Sequence, residues 1–160
     1  MDMLQKLVGL PSTSVNEPAN YVCQTELEQF DQVSSGKYST GLGQSEMSFC
    51  DDTEDVCSLA LSVTSALLDN YKIDHKSIGF LEVGTETLID KSKSVKTVLM
   101  DLFGDHHSDI QGADVKNACF GGTQALFHAV DWIYANYELE GKFFWTVASG
   151  NKIALYMSSV

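Results

Sequence analysis

The sequence predicts an α/β layered fold with mainly parallel strands. Three observations carry that prediction. Short apolar runs such as "IGFLEVG" and "KFFWTVAS" have the length and residue types of buried strands. They alternate with longer segments whose apolar residues recur at helical spacing. The 160 residues, 44% of them hydrophobic, suit one globular domain spanning 1–160 with enough chain to bury a sizeable core.

Each element has its own local signal. "VGLPSTSVNEP" occupies the place of a first strand, although Pro11 and a run of Ser, Thr and Asn fit a central strand badly. In "TELEQFDQV", Thr25 is followed three residues later by Glu28, the capping-box pattern of a helix start. "SSGKYSTGLGQSEMSFC" reads as a Gly/Ser-rich loop too long for a simple turn, of the kind that often carries function. Between Thr53 and Tyr71, residues Val56, Leu59, Ala60, Val63 and Leu67 mark a helix, with Asp52, Glu54 and Asp55 at its positive end. "IGFLEVGTET" is a short buried strand ending at Gly84, with polar residues beyond it. "SVKTVLMDLF" is helical and "GDHHSDIQGAD" is a surface loop. "ADVKN" is a short strand leading into a helix that begins near Cys119 and runs to about Asn136. "KFFWTVAS" and "KIALYM" close the sequence as strands, the last without a helix to cover it. There is no internal repeat.

Charge narrows the partners. A net charge of -12 argues against nucleic acid and anionic membrane surfaces. All ten basic residues are lysines, so any phosphate must be held by ammonium groups, backbone N–H groups or helix N-termini rather than a guanidinium fork. Cys23, Cys50, Cys57 and Cys119 form no C-x-x-C pair and no zinc spacing. With no cleavable leader and no membrane-length apolar run in the sequence, a reduced, cytoplasmic setting is the expectation.

Chemistry concentrates at two positions. In "KNACFGGTQALFHAV" a thiol precedes a helix, where the macrodipole favours the thiolate. Gly121 and Gly122 clear side chains from the approach of an acyl group, and first-turn N–H groups can hold an oxyanion. A small buried hydrophobe is the other reading of Cys119, and spacing alone leaves both open. Glu86 follows a strand C-terminus, where crevices of open α/β sheets lie, and a partly buried carboxyl there can act as general acid or base. Taken without context, a solvated loop acid near Lys91 and Lys93 is the favoured reading of Glu86. Glu82 reads as structural, His128 as a packing residue, and His106 and His107 as solvated loop residues. Cys23, Cys50 and Cys57 are taken as structural.

These motifs carry a resemblance. "LEVGTETLIDKSKSVKTVLMDLF", then "DIQGADVKNACFGGTQALFHAVDWI", with "GKYSTGLGQSEMSFCDDTEDVCSL" upstream, closely resembles the hydroxymethylglutaryl-CoA synthase family of the thiolase superfamily. The likeness runs from about Tyr21 to about Trp145 and is to the animal enzymes rather than the bacterial ones. It implies the N-terminal half of a thiolase-like layered fold, incomplete in this chain. It also implies condensation of acetyl-CoA with acetoacetyl-CoA to hydroxymethylglutaryl-CoA and free CoA, in sterol, isoprenoid or ketone-body synthesis. By the N-A-C-[YF]-G-G motif Cys119 carries the acetyl group, and by V-G-T-E-T Glu86 is the general acid/base. The loop before G-K-Y places Ser34 and Ser35 near CoA. The partners so implied are CoA thioesters, as substrates, and a second subunit of a homodimer, with no metal and no resident cofactor.

Departures accompany the likeness. Family members are several times longer, and their catalytic histidine lies in a region with no counterpart here. "GNKIALYMSSV" stands where G-D-I-A-V-Y and a glycine-asparagine turn are usual, Phe120 where tyrosine is common, and Phe80 where an arginine usually precedes L-E-V-G. The expectation is therefore a truncated N-terminal portion that does not complete the condensation alone. The alternative is a non-catalytic fragment or isoform that binds CoA or the full-length enzyme.

Overall fold

The computed structural model describes residues 12–16, 20–105, 109–140, 143–149 and 153–158. His106 and His107 lie outside them, as does Pro11. Contacts divide the chain into two units, one comprising 1–16 and 56–160 and the other Glu17–Asp55.

The larger unit is organised about one strand, β4 (Ile78–Gly84), every residue of which is buried. That explains its run of apolar residues: a strand covered on both faces cannot alternate apolar with polar. In its sheet the order is β1-β7-β6-β4-β5, with β1 at Ser12–Asn16, β5 at Asp114–Val115, β6 at Phe143–Ser149 and β7 at Ile153–Ser158. β4 pairs in parallel with both β5 and β6. The expectation of mainly parallel strands holds only for these three; the other described pairings are antiparallel. β6–β7 and β1–β7 are antiparallel; for β6–β7 the three intervening residues are too few for the crossover that a parallel pairing needs. β7 is thus paired on both sides, not left as a free final strand. β1, polar and preceded by Pro11, takes the edge, the position such a sequence tolerates.

Helices cover both faces of β4. On one side α2 (Val56–Tyr71) buries Val56, Ala60, Val63, Thr64, Leu67 and Leu68, a stripe at helical spacing. This stripe meets Leu81 and Val83 of β4 together with Val95, Leu99, Phe103 and Ile110. Lys72, with φ of 50°, ends α2. Its N–H donates to the Asp69 carbonyl and that of Ile73 to the Leu68 carbonyl, the paired bonds that close a helix through a left-handed residue. α3 (Val95–Leu99), continued by a 3-10 turn to Phe103, is capped twice. The Ser94 hydroxyl accepts from the Thr97 N–H, and the Asp114 carboxylate of β5 accepts from the N–H groups of Val95 and Lys96 at 2.7 and 2.9 Å. On the other face of β4 lies α4 (Gly121–Glu140), where Phe80 meets Ala129, Ile133 and Trp132.

The smaller unit pairs β2 (Asn20–Cys23) with β3 (Glu46–Phe49) antiparallel. Between them run α1 (Gln24–Phe30) and a succession of turns. The stretch read as one long loop therefore ends in a strand. α1 starts one residue before Thr25, with Cys23 at the cap and no capping side chain. The predicted capping box does not form, because the Glu28 carboxylate is engaged elsewhere.

Candidate active site

The end of β4 and the start of α4 approach backbone to backbone. A Cβ on Gly84 would stand 2.5 Å from both the Cα and the N of Gly122, and one on Gly121 would stand 3.0 Å from the Val115 carbonyl oxygen. Only residues without side chains permit that approach. Gly84 and Gly121 therefore serve packing, letting the first turn of α4 rest on the C-terminal ends of β4 and β5.

Cys119 and Glu86 enter from the two chain segments that meet there. The N–H of buried Thr85 donates to the Val115 carbonyl at 3.0 Å, tying the residue before Glu86 to the end of β5. The Thr85 hydroxyl accepts from the Thr87 N–H at 3.2 Å, so Glu86 sits at the crest of a pinned turn, exposed to solvent. After β5 the chain turns sharply through Ala118, whose φ of 40° is uncommon for a residue with a Cβ. The turn closes with the Phe120 N–H on the Asn117 carbonyl at 2.9 Å, and α4 begins two residues after Cys119. Cys119 is exposed, which removes the reading of a buried core thiol. Cys50 is exposed as well, so it fills no core.

Ser34 and Ser35 belong to the smaller unit, both exposed. The turns that follow them are anchored by Glu28, which is 3% exposed. Its Oε1 accepts from the N–H groups of Tyr38 and Ser39 at 2.7 and 2.8 Å and from the Ser39 hydroxyl at 3.0 Å. Its Oε2 accepts from the Gly36 N–H at 2.8 Å. The Ser39 and Gly36 N–H groups, joined by that of Tyr38, hold this carboxyl down at about 2, from an ordinary value of 4.5.

A second pair escaped sequence reasoning. Glu82, on the face of β4 that carries Phe80, accepts a hydrogen bond from or shares one with His128 of α4, Oε1 to Nδ1 2.9 Å. Burial raises the Glu82 carboxyl above its ordinary value, and the His128 hydrogen bond pulls it the other way. The signal was present in the sequence: a lone charge inside "IGFLEVG", and a histidine sharing a helical face with Asp131, Trp132 and Ala135. Among the described residues, no three His, Cys, Asp or Glu side chains are grouped to hold a metal ion. Nor is any described helix long and apolar enough to cross a membrane.

Residues 4–160 match the family described as hydroxymethylglutaryl-coenzyme A synthase N terminal. A hydroxymethylglutaryl-CoA synthase of Caenorhabditis elegans is 58% identical over 135 residues, 84% of this chain and 29% of that protein. The cytoplasmic hydroxymethylglutaryl-CoA synthase of Gallus gallus is 50% identical over 152 residues, 94% of this chain and 28% of that protein. The chain thus spans under a third of the length of these relatives. Among solved structures, that of MvaS in complex with 3-hydroxy-3-methylglutaryl coenzyme A superposes with a TM-score of 0.83 at 32% identity, over 95% of this chain and 40% of that one.

Proposed function

Because the chain belongs to the hydroxymethylglutaryl-CoA synthase family, we propose that its 160 residues carry that family's acyl-transfer step, with Cys119 as nucleophile and acetyl-CoA as donor. The Cys119 thiolate attacks the acetyl carbonyl of the thioester. The tetrahedral intermediate expels CoA thiolate, which takes up a proton, and leaves acetyl-Cys119. N–H groups of the first turn of α4 supply dipoles for the transient oxyanion, and Gly121 and Gly122 keep that turn free of side chains. Glu86 serves the next stage as general acid/base, handling the proton of the acetyl methyl carbon as it condenses with acetoacetyl-CoA. Ser34 and Ser35 contact the CoA portion. The assembled enzyme is a homodimer needing no metal or resident cofactor, cytoplasmic, and part of isoprenoid and sterol synthesis.

One observation carries this reading: an exposed cysteine at the mouth of α4, whose first turn rests on the same strand ends that launch the Glu86 turn. The alternative, a non-catalytic chain that binds CoA or the full-length enzyme, draws on exposed rings beside and along α4: Phe120 just before the helix, 43% exposed, and Phe127 and Tyr134 on it, 51% and 54% exposed.

One experiment separates the two. The purified chain is incubated with acetyl-CoA and examined by intact-mass and peptide mass spectrometry. An acetyl group on Cys119, absent in Cys119→Ala and retained in Glu86→Gln, is the expected result. No adduct under conditions that label a full-length relative would overturn acyl transfer in favour of the binding reading.

A further inference from the structure

Ser34 and Ser35 are tied down on both sides by one residue of α1. Before the serines, the Val33 N–H donates to the Glu28 backbone carbonyl at 3.1 Å. After them, the Gly36 N–H donates to Glu28 Oε2 at 2.8 Å. The serines thus form a two-residue span with both ends fixed to Glu28. A turn closes over the span as well, the Lys37 N–H donating to the Ser34 carbonyl at 3.1 Å. The Tyr38 and Ser39 N–H groups and the Ser39 hydroxyl then converge on Glu28 Oε1.

Burial and chemistry separate the two roles. Glu28 is covered, while Ser34 and Ser35 are open to solvent. A carboxylate offers two acceptor oxygens and takes all four donors; a carboxamide, with one acceptor oxygen and an NH2 group, cannot. The N–H groups of Gly36, Tyr38 and Ser39 are spent on this acid. They are therefore not free to cradle a phosphate, as the N–H groups of an anion-binding nest are. What the span presents to a ligand is its serine side chains.

We propose that Glu28 is a positioning residue of the CoA subsite, holding Ser34 and Ser35 in place for a ligand that it does not itself touch. The proposal rests on the reading of these serines as CoA contacts. On a loose loop they would have to be ordered at every binding event, at a cost in affinity. A span fixed at both ends has met that cost on folding.

The probe is CoA itself, titrated calorimetrically into the full chain, so the outcome does not depend on acetyl transfer to Cys119. Ser34→Ala combined with Ser35→Ala is expected to weaken binding about tenfold, and Glu28→Gln by a similar factor. The deciding measurement places Glu28→Gln on the chain that already carries both alanines. A residue that acts through the serines has little left to lose there, so the further loss is expected to stay under about twofold. A further loss as large as in the unaltered chain would make Glu28 a general support of the fold and overturn the proposal. So would a Glu28→Gln chain that binds CoA as the unaltered one does. If the alanine changes leave binding untouched, or the unaltered chain does not bind CoA, the reading of the serines falls first and takes the proposal with it. A last measurement needs no variant and so stands even where Glu28→Gln does not fold. Hydrogen-exchange protection of the Gly36, Tyr38 and Ser39 amides in the unaltered chain is expected to rise less than about twofold when CoA is added. A larger rise would mean that the ligand, not Glu28, orders the span, and would overturn the proposal.

Discussion

Glu28 organises the turns after Ser34 and Ser35 by gathering four hydrogen-bond donors around one carboxylate. An ionised acceptor makes each of those bonds stronger than a neutral one would be. Its folded value of about 2 lies below its ordinary 4.5, so the stabilisation is fully present above pH 4.5 and is lost as the pH falls from there toward 2. The protection factors of the Gly36, Tyr38 and Ser39 amides, the unstructured exchange rate divided by the observed rate at the same pH, should therefore hold down to pH 4.5 and fall below it. In Glu28→Ala the same three amides should exchange freely at neutral pH, and proteolysis within 34–42 should be about tenfold faster. Unchanged protection in that variant would show that the turns are held by something else. This carboxylate also marks a limit of local reading. Thr25 and Glu28 have the spacing of a capping box, yet the acid serves residues eight to eleven positions away, a partnership that three-residue spacing cannot encode.

At the level of elements, the junction of β4 with α4 is the least forgiving point. A methyl group on Gly84 would collide with the Gly121–Gly122 backbone, which cannot swing aside as a side chain can. Gly84→Ala should thus lift the first turn of α4 from the sheet and destabilise the chain by roughly 1–3 kcal/mol, as overpacking does. Thermal denaturation measures the loss. Alkylation of Cys119 by iodoacetamide should change at the same time, and a variant with unaltered melting and unaltered alkylation would contradict the close approach. Much of this junction was legible in the sequence. The apolar run of β4, its stop at Gly84 and the thiol-glycine-glycine-helix order all follow from residue type and spacing. The Glu82–His128 pair was less legible, because a strand acid and a helix histidine 46 positions apart announce no partnership until the elements are packed. Whether Cys119 is buried was likewise undecidable from its neighbours alone, since exposure depends on what the rest of the chain covers.

For the molecule as a whole, charge and apolar surface oppose one another. The net charge is -12 at neutral pH and the isoelectric point is about 4.5. Phe120, just before α4, and Phe127 and Tyr134 on it meanwhile stand exposed. Repulsion between copies should keep association weak at pH 7 and release it as the pH approaches 4.5. Light scattering across that range should show a rising mass, and added salt at neutral pH should push in the same direction by screening. A mass that stays constant from neutral pH down to the isoelectric point would mean that these rings do not drive contact. The sheet carries a further consequence. β7 is inserted between β6 and β1, so Ser12 meets Met157 and Asn16 meets Ile153. A strand made among the first residues must wait for one made nearly at the other extreme of the sequence. Folding of this unit cannot keep pace with synthesis from one end to the other. Its sheet has a high contact order and closes only after Met157 has left the ribosome, so until then the edges of β6 and β1 need shelter from other chains.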